Sequence, residues 1–207
     1  MSEKPAPPDG EHILHDDAGT LRQQGTFVAG KLHGPLKIFD QDGRLTLEEA
    51  YLDGKLHGVR RLYTGGVLAS EANYVNGVQQ GPATLFHPSN VPAVTMDFHQ
   101  GLQEGEAAYF DDAGVLAQRK HFLAGVPHGD TMTYDEDGKT LAIEPFEHGL
   151  RHGQATWFDP QGEWSRKILY NRGKRISTET ATAPVPHPPV PPSPVQTLWN
   201  SLKKKGA

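Results

Sequence analysis

Tyr51-Leu-Asp-Gly-Lys-Leu-His-Gly-Val-Arg-Arg-Leu-Tyr63 is the stretch that decides the fold. Its centre, Gly54-Lys-Leu-His-Gly58, also stands as Gly30-Lys-Leu-His-Gly34. It returns with substitutions at Gly77…Gly81, Gly101…Gly105, Gly125…Gly129 and Gly149…Gly153, and a half-copy starts at Gly173. The first glycines lie 24, 23, 24, 24, 24 and 24 residues apart. A fixed period of this size marks a repeat array. Nine residues after each first glycine comes an aromatic: Phe39, Tyr63, Phe86, Phe110, Tyr134 and Phe158. A second aromatic follows near position 21: Tyr51, Tyr74, Phe98, Phe122, Phe146 and Tyr170. Between them sits a turn residue: Gly43, Gly66, Asn90, Gly114, Gly138 and Gly162. Upstream, Asp16-Asp-Ala-Gly19 and Phe27 match the second half of a unit.

Two turn signals per period, with aromatic and β-branched runs between them, leave room for strand–turn–strand and none for a proper helix. Glycines in the Gly-x-x-x-Gly turn supply positive φ or close backbone approach. The other turn is often Asp-x-Gly, as at Asp42-Gly43 and Asp137-Gly138, a hairpin signal. The expected fold is all-β: an elongated, single-layer antiparallel meander of about six 24-residue hairpin repeats. The one-residue deletion in the second unit falls before Gly66, where it shortens a turn. Pro82, Pro88 and Pro92 predict a kink or an interrupted strand pair over 82–98, because proline cannot donate to a ladder.

The pattern Y/F-x-x-G-K-x-H-G-x-x-x-x-Y/F resembles the MORN repeat, in the bacterial variant of antitoxin-like proteins of the YwqK type. Besides Tyr51–Tyr63, it stands as Phe27-Val-Ala-Gly-Lys-Leu-His-Gly-Pro-Leu-Lys-Ile-Phe39, and more loosely as Phe146–Phe158. The resemblance covers residues 16–175. It implies a β-repeat scaffold and a role among immunity proteins, organisers or accessory domains.

Composition narrows the function. The hydrophobic fraction is 36% and net charge is −5, which suits a thin sheet and lacks the dense basic patch of a nucleic-acid surface. There is no cysteine, so disulfide and thiol chemistry are excluded. Met1-Ser-Glu-Lys-Pro-Ala-Pro-Pro lacks the apolar core of a signal peptide, and no apolar run approaches the ~20 residues of a membrane span. A cytoplasmic protein is expected. His33, His57, His128 and His152 share one repeat position, but repeats two strands apart place them ~10 Å from one another, too far to converge on one metal. No carboxylate pair recurs beside a convergent histidine or serine. No catalytic residue, metal or cofactor is expected.

The chain divides into a disordered N-terminus (1–10), the array (11–176), a proline-rich linker (177–192) and a short amphipathic helical docking peptide (193–207). Ala183–Pro194 holds seven prolines in twelve residues, a polyproline-type spacer. Beyond it, Leu198, Trp199 and Leu202 share a helical face, and Lys203, Lys204 and Lys205 suit the negative end of the helix dipole. Arg172, Lys174 and Arg175 protect the last edge strand from pairing.

These features point to a non-enzymatic protein-binding scaffold, an immunity or antitoxin-like protein or an adaptor. Its tail would contact a partner through Leu198, Trp199, Leu202 and Lys203–Lys205. On the repeat face, Tyr109 and Trp157 are expected as exposed contact residues, with Trp164. The rival is a peripheral membrane organiser binding anionic lipid through the repeats and the lysine-rich tail. Pairing of exposed sheet edges would give a homodimer.

Overall fold

A computed structural model describes residues 7–181. Among them the chain is all-β: eighteen strands in antiparallel meanders, with no helix. It divides into two compact units, Met1–Asn90 with Phe98–Gly101, and Val91–Asp97 with Leu102–Ala207. The first holds β1 (Gly10–His15), β2 (Leu21–Val28), β3 (Lys31–Phe39), β4 (Leu45–Leu52), β5 (Lys55–Leu56), β6 (Gly58–Thr64), β7 (Val67–Val75) and β8 (Val78–Phe86). At the changeover lies β9 (Pro92–His99). The second unit continues with β10 (Leu102–Phe110), β11 (Leu116–Leu123), β12 (Val126–Pro127), β13 (Gly129–Tyr134), β14 (Thr140–Glu147), β15 (Leu150–Arg151), β16 (Gly153–Phe158), β17 (Trp164–Asn171) and β18 (Lys174–Thr180).

The first glycine of each repeat closes a two-residue hairpin turn. At Asp53-Gly54 both residues have positive φ, 51° and 79°, the type I′ turn whose twist matches that of its strands. Asn76-Gly77, Ala124-Gly125 and His148-Gly149 do the same. The turn glycine also ties repeats together. Gly54 N–H donates to the Leu32 carbonyl at 2.8 Å, and Gly173 N–H to that of Arg151 at 2.8 Å. Each repeat is therefore bonded to its predecessor, the nearest-neighbour coupling expected of an array.

The second glycine serves a bulge. Tyr51 faces Leu56, yet three residues earlier Glu48 faces Arg61, so β5–β6 carries two extra residues opposite β4. Gly58 lies in this bulge at φ +114°, and a side chain there would begin 3.1 Å from Ala50 Cβ. β2–β3 and β7–β8 show the same jump. This explains the tolerated prolines. Pro82 falls inside the bulge between Gln79 and Ala83, where its missing N–H costs no ladder bond. β8 runs on through it, so the interruption expected there does not occur within this strand. Pro88 occupies the turn closed by Asn90 N–H on the His87 carbonyl at 2.8 Å.

In three repeats the residue before the second glycine clamps the next repeat's turn, whereas His33 and His57 meet the turn side chains of Asp53 and Asn76 and His128 Nδ1 has no hydrogen-bond partner among the described residues. Gln80 Oε1 accepts from Gln100 N–H at 2.9 Å, Glu104 Oε2 from Ala124 N–H at 3.0 Å, and His152 Nδ1 from Arg172 N–H at 3.3 Å. Glutamine, glutamate and His152 serve alike here because each offers an acceptor at similar reach. Asp9 does the same for Ala29 N–H at 2.6 Å. Asp9-Gly10, with Gly10 at φ +114°, is thus the His-Gly pair of the opening half-repeat. Asp9 and Gly10, expected within the N-terminal segment 1–10, thus take part in the array.

At the opposite turns an aspartate fixes the chain. Asp40 Oδ1 accepts from Asp42 N–H at 2.9 Å and Arg44 N–H at 2.8 Å. Asp16, Asp111, Asp135 and Asp159 repeat the pattern. The shortened unit uses Gly65-Gly66 at φ 59° and 81° instead, with Thr64 opposite Val67.

The expected boundary at 176 falls inside β18, which pairs with β17 as far as Thr180. Ile176 and Ser177 stand where other units carry the clamp and the second glycine, and β17–β18 has a one-residue register shift in place of two. The linker from 182 and the docking segment 193–207 lie outside the described residues.

Candidate functional site

Directly opposed residues of an antiparallel pair share a sheet face, so the registers define one row across the second unit. Tyr109 faces Gln118, Gln118 faces Thr133, Thr133 faces Ala142, Ala142 faces Trp157 and Trp157 faces Arg166. On the same face Ala107 opposes Lys120, Thr131 opposes Glu144, and Ala155 opposes Ile168. Phe122, Phe146 and Tyr170 flank this floor opposite glycines 105, 129 and 153. Small residues let the long ones fold over them: Ala107 and Ala155 are 0% exposed. The aromatics mostly form half-buried walls, with Phe122 and Tyr109 the buried exceptions.

Cations cover those rings. Arg166 lies 4.2 Å from the Trp157 ring centroid, Arg151 5.6 Å from Tyr170 and 5.8 Å from Phe146, and Lys120 5.2 Å from Tyr109. Each is within cation–π reach. Arg151 also holds Glu144 at 2.8 Å. Lys120 has no ion pair among the described residues, and burial pushes its ammonium below the usual lysine range. Gln118 donates to Thr133 Oγ1 at 3.1 Å, but its buried Oε1 and the buried Arg166 Nε have no hydrogen-bond partner among the described residues.

The three repeat-face residues expected from sequence do not form one site. Trp157 is half-buried under Arg166. Tyr109 is 8% exposed, so the expectation that it projects freely is corrected: it lies beside Gln118 and Lys120. Trp164 opposes Phe158 on the other face, with Lys167 4.2 Å from its ring. The tail residues Leu198, Trp199, Leu202 and Lys203–Lys205 lie outside the described residues. Gln118, Lys120, Arg151 and Arg166 were missed. Their signal was cross-strand register, which the repeat spacing encodes only once both turns are known.

In the first unit the same face carries a buried carboxylate and its partners. Glu49, 8% exposed, receives the Tyr51 hydroxyl at 2.7 Å and pairs with Arg60 Nε at 2.9 Å. Burial, then the bond to Glu49 and its charge, push the Tyr51 phenol up to about 12. On its other face Lys37, Glu48, Arg61 and Glu71 form a cross-strand charge ladder.

No family model and no curated protein matches this chain. Solved structures show partial likeness. An accessory secretory protein 1, 2 and 3 structure from Streptococcus pneumoniae matches with TM-score 0.33 and 17% identity, over 49% of this chain and 19% of that one. S. aureus TarM in complex with Fondaparinux, alpha-GlcNAc-glycerol and UDP gives TM-score 0.34 and 6% identity, over 57% of this chain and 21% of that one. Another TarM structure gives 0.26 and 11%, over 69% and 22%. The chain thus spans about a fifth of the length of each.

Among the described residues, no group of three or more His, Asp or Glu is placed to hold a metal ion. No helix there is long and apolar enough to cross a membrane.

Proposed function

We propose that this chain is a non-enzymatic protein-binding repeat scaffold that uses the aromatic face of its second unit. The observation that carries this reading is the row Tyr109–Gln118–Thr133–Ala142–Trp157–Arg166, where Lys120 and Arg166 lie over the Tyr109 and Trp157 rings. Aromatic residues and arginine are enriched in interface cores. The MORN-like repeat phrase supports an immunity or antitoxin-like role in a bacterium, or an adaptor for another protein. The tail motif Leu198–Lys205 would add a tethered second contact.

Capture from the native host tests this with three baits: the full chain, the Trp157→Ala and Arg166→Glu double variant, and the Leu198→Asp and Leu202→Asp double variant. One protein retained by the full chain and lost with the first variant is the expected result. Loss with the second variant alone would move the contact to the tail. Retention of anionic vesicles but no protein would replace the scaffold reading with the membrane one.

A further inference from the structure

The edge formed by the type I′ turns changes character along the chain. The residue after the turn glycine is Lys31 and Lys55 early in the chain, then Val78, still in the first unit, Leu102, Val126 and Leu150 in the second, and Lys174 at its end. Leu102, Val126 and Leu150 are 50%, 39% and 49% exposed, and Leu123, opposite Val126, is 42% exposed. They form a continuous ladder, because each leans over the next repeat's turn. A side chain at Gly125 would meet Leu102 Cδ2 at 3.5 Å, one at Gly149 would meet Val126 Cβ at 3.6 Å, and one at Gly173 would meet Leu150 Cδ2 at 3.6 Å. The fold does not need aliphatic residues here, since the stem of Lys31 covers Gly54 equally well, at 3.6 Å from the same point. An exposed aliphatic ladder rimmed by lysines marks an interaction surface.

We propose that this ladder is the docking surface for the chain's own segment Val195–Lys205. Two observations select that occupant. The first is spacing. Successive rungs are two strands apart, ~9.6 Å, and seven residues of helix span about 10.5 Å. Val195 and Leu202 are seven apart, with Leu198 and Trp199 at the third and fourth positions between them, the stripe of an apolar helical face. The second is reach. Ala181 N–H bonds the Ser165 carbonyl at the Asp-turn end of the strands, about 27 Å of eight-residue strand from the ladder. The fourteen residues from Ala181 to Val195, extended at ~3.1 Å each, cover about 43 Å.

This surface is separate from the aromatic face, and its test needs no partner protein. The chain has no cysteine, so the double variant Leu150→Cys, Leu198→Cys can form only disulfides between those positions. Mild oxidation of the purified full-length protein at low micromolar concentration should give a disulfide-closed monomer at least ten times faster than the control Asp137→Cys, Leu198→Cys, whose first site is exposed at the opposite, Asp-turn edge of the same unit. Adding Leu202→Asp and Trp199→Asp should abolish that advantage. In the cysteine-free chain, the same two aspartates should increase hydrogen exchange at the turns around Ala124 and His148. Equal closure rates in test and control would overturn the proposal. A disulfide-linked dimer would overturn it too, assigning the ladder to a second copy. Unchanged exchange at both turns would exclude the tail as the native occupant.

Discussion

The two units share every backbone device and differ in what they place on the sheet floor. Both use type I′ turns, glycine bulges, acceptor clamps and aspartate-anchored returns. In the first, Glu49 accepts the Tyr51 hydroxyl and pairs with Arg60, whose Nε has no hydrogen-bond partner among the described residues. In the second, Lys120 takes the repeat position of Glu49 and, like Arg166, lies over an aromatic ring instead of pairing with a carboxylate. The repeat phrase therefore specifies the backbone, and the residues between its fixed points specify what a face presents. A repeat fold can hold its geometry constant while one stretch is specialised for recognition.

The largest expected effects test the shared part. Gly58 and Gly153 have φ +114° and +103°, with Ala50 Cβ and Pro145 Cγ at 3.1 and 3.2 Å from an added side chain. Gly58→Val and Gly153→Val should each cost about 3 kcal/mol in denaturant unfolding, from strained φ plus a clash. Gly81→Ala, with open space at φ +83°, should cost about 1 kcal/mol. Unequal losses at Gly58 and Gly153 would show that the two units do not use one backbone code.

The next pair sharpens the difference in floors. Arg60→Ala should cost about 2–3 kcal/mol, because Glu49 is left buried without its cation. Arg166→Ala should cost under about 1 kcal/mol, because it strands no carboxylate and loses only a ring contact. Comparable losses would contradict that difference.

A titration reads the first unit's floor directly. The Tyr51 phenol is raised to about 12, so the folded state holds its proton longer than the unfolded chain, whose tyrosine ionises near 10. Its contribution to stability is present below that value and is lost as pH rises towards about 12. Burial also raises Tyr63 and Tyr109, so ultraviolet difference titration should show several late-ionising tyrosines, of which the Tyr51 step shifts to lower pH in Glu49→Gln.

The smallest effect belongs to the clamp. Gln80→Ala and Glu104→Ala should each cost about 1 kcal/mol, one hydrogen bond's worth, as read by thermal unfolding. An effect in one unit only would limit the clamp to that unit.

The backbone was highly legible in the sequence because glycine and aspartate report φ and turn chemistry directly. The period, the two turn types and the shortened turn at Gly66 could all be read from spacing. Gly10 escaped because its partner glycine is absent upstream. β18 escaped because Ile176 and Ser177 replace the signature residues where no later turn needs clamping. Pro82 suggested a break because the bulge that accommodates it appears only in the strand register. The faces were far less legible. Tyr109 and Trp164 looked alike along the chain, yet a one-residue register shift before Phe158 and the identity of the opposite strand decide which side each occupies. Likewise, Glu49 reads as a surface carboxylate until Arg60 is brought opposite it.

The central claim is that recognition belongs to the aromatic floor of the second unit. Calorimetric titration of the captured partner into wild type, Trp157→Ala and Tyr51→Phe tests it most directly. The account predicts that Trp157→Ala weakens binding by a factor of about ten or more, the behaviour of an interface anchor, with its thermal midpoint near that of wild type and Tyr51→Phe binding like wild type. Wild-type affinity in Trp157→Ala, or a loss confined to Tyr51→Phe, would contradict it.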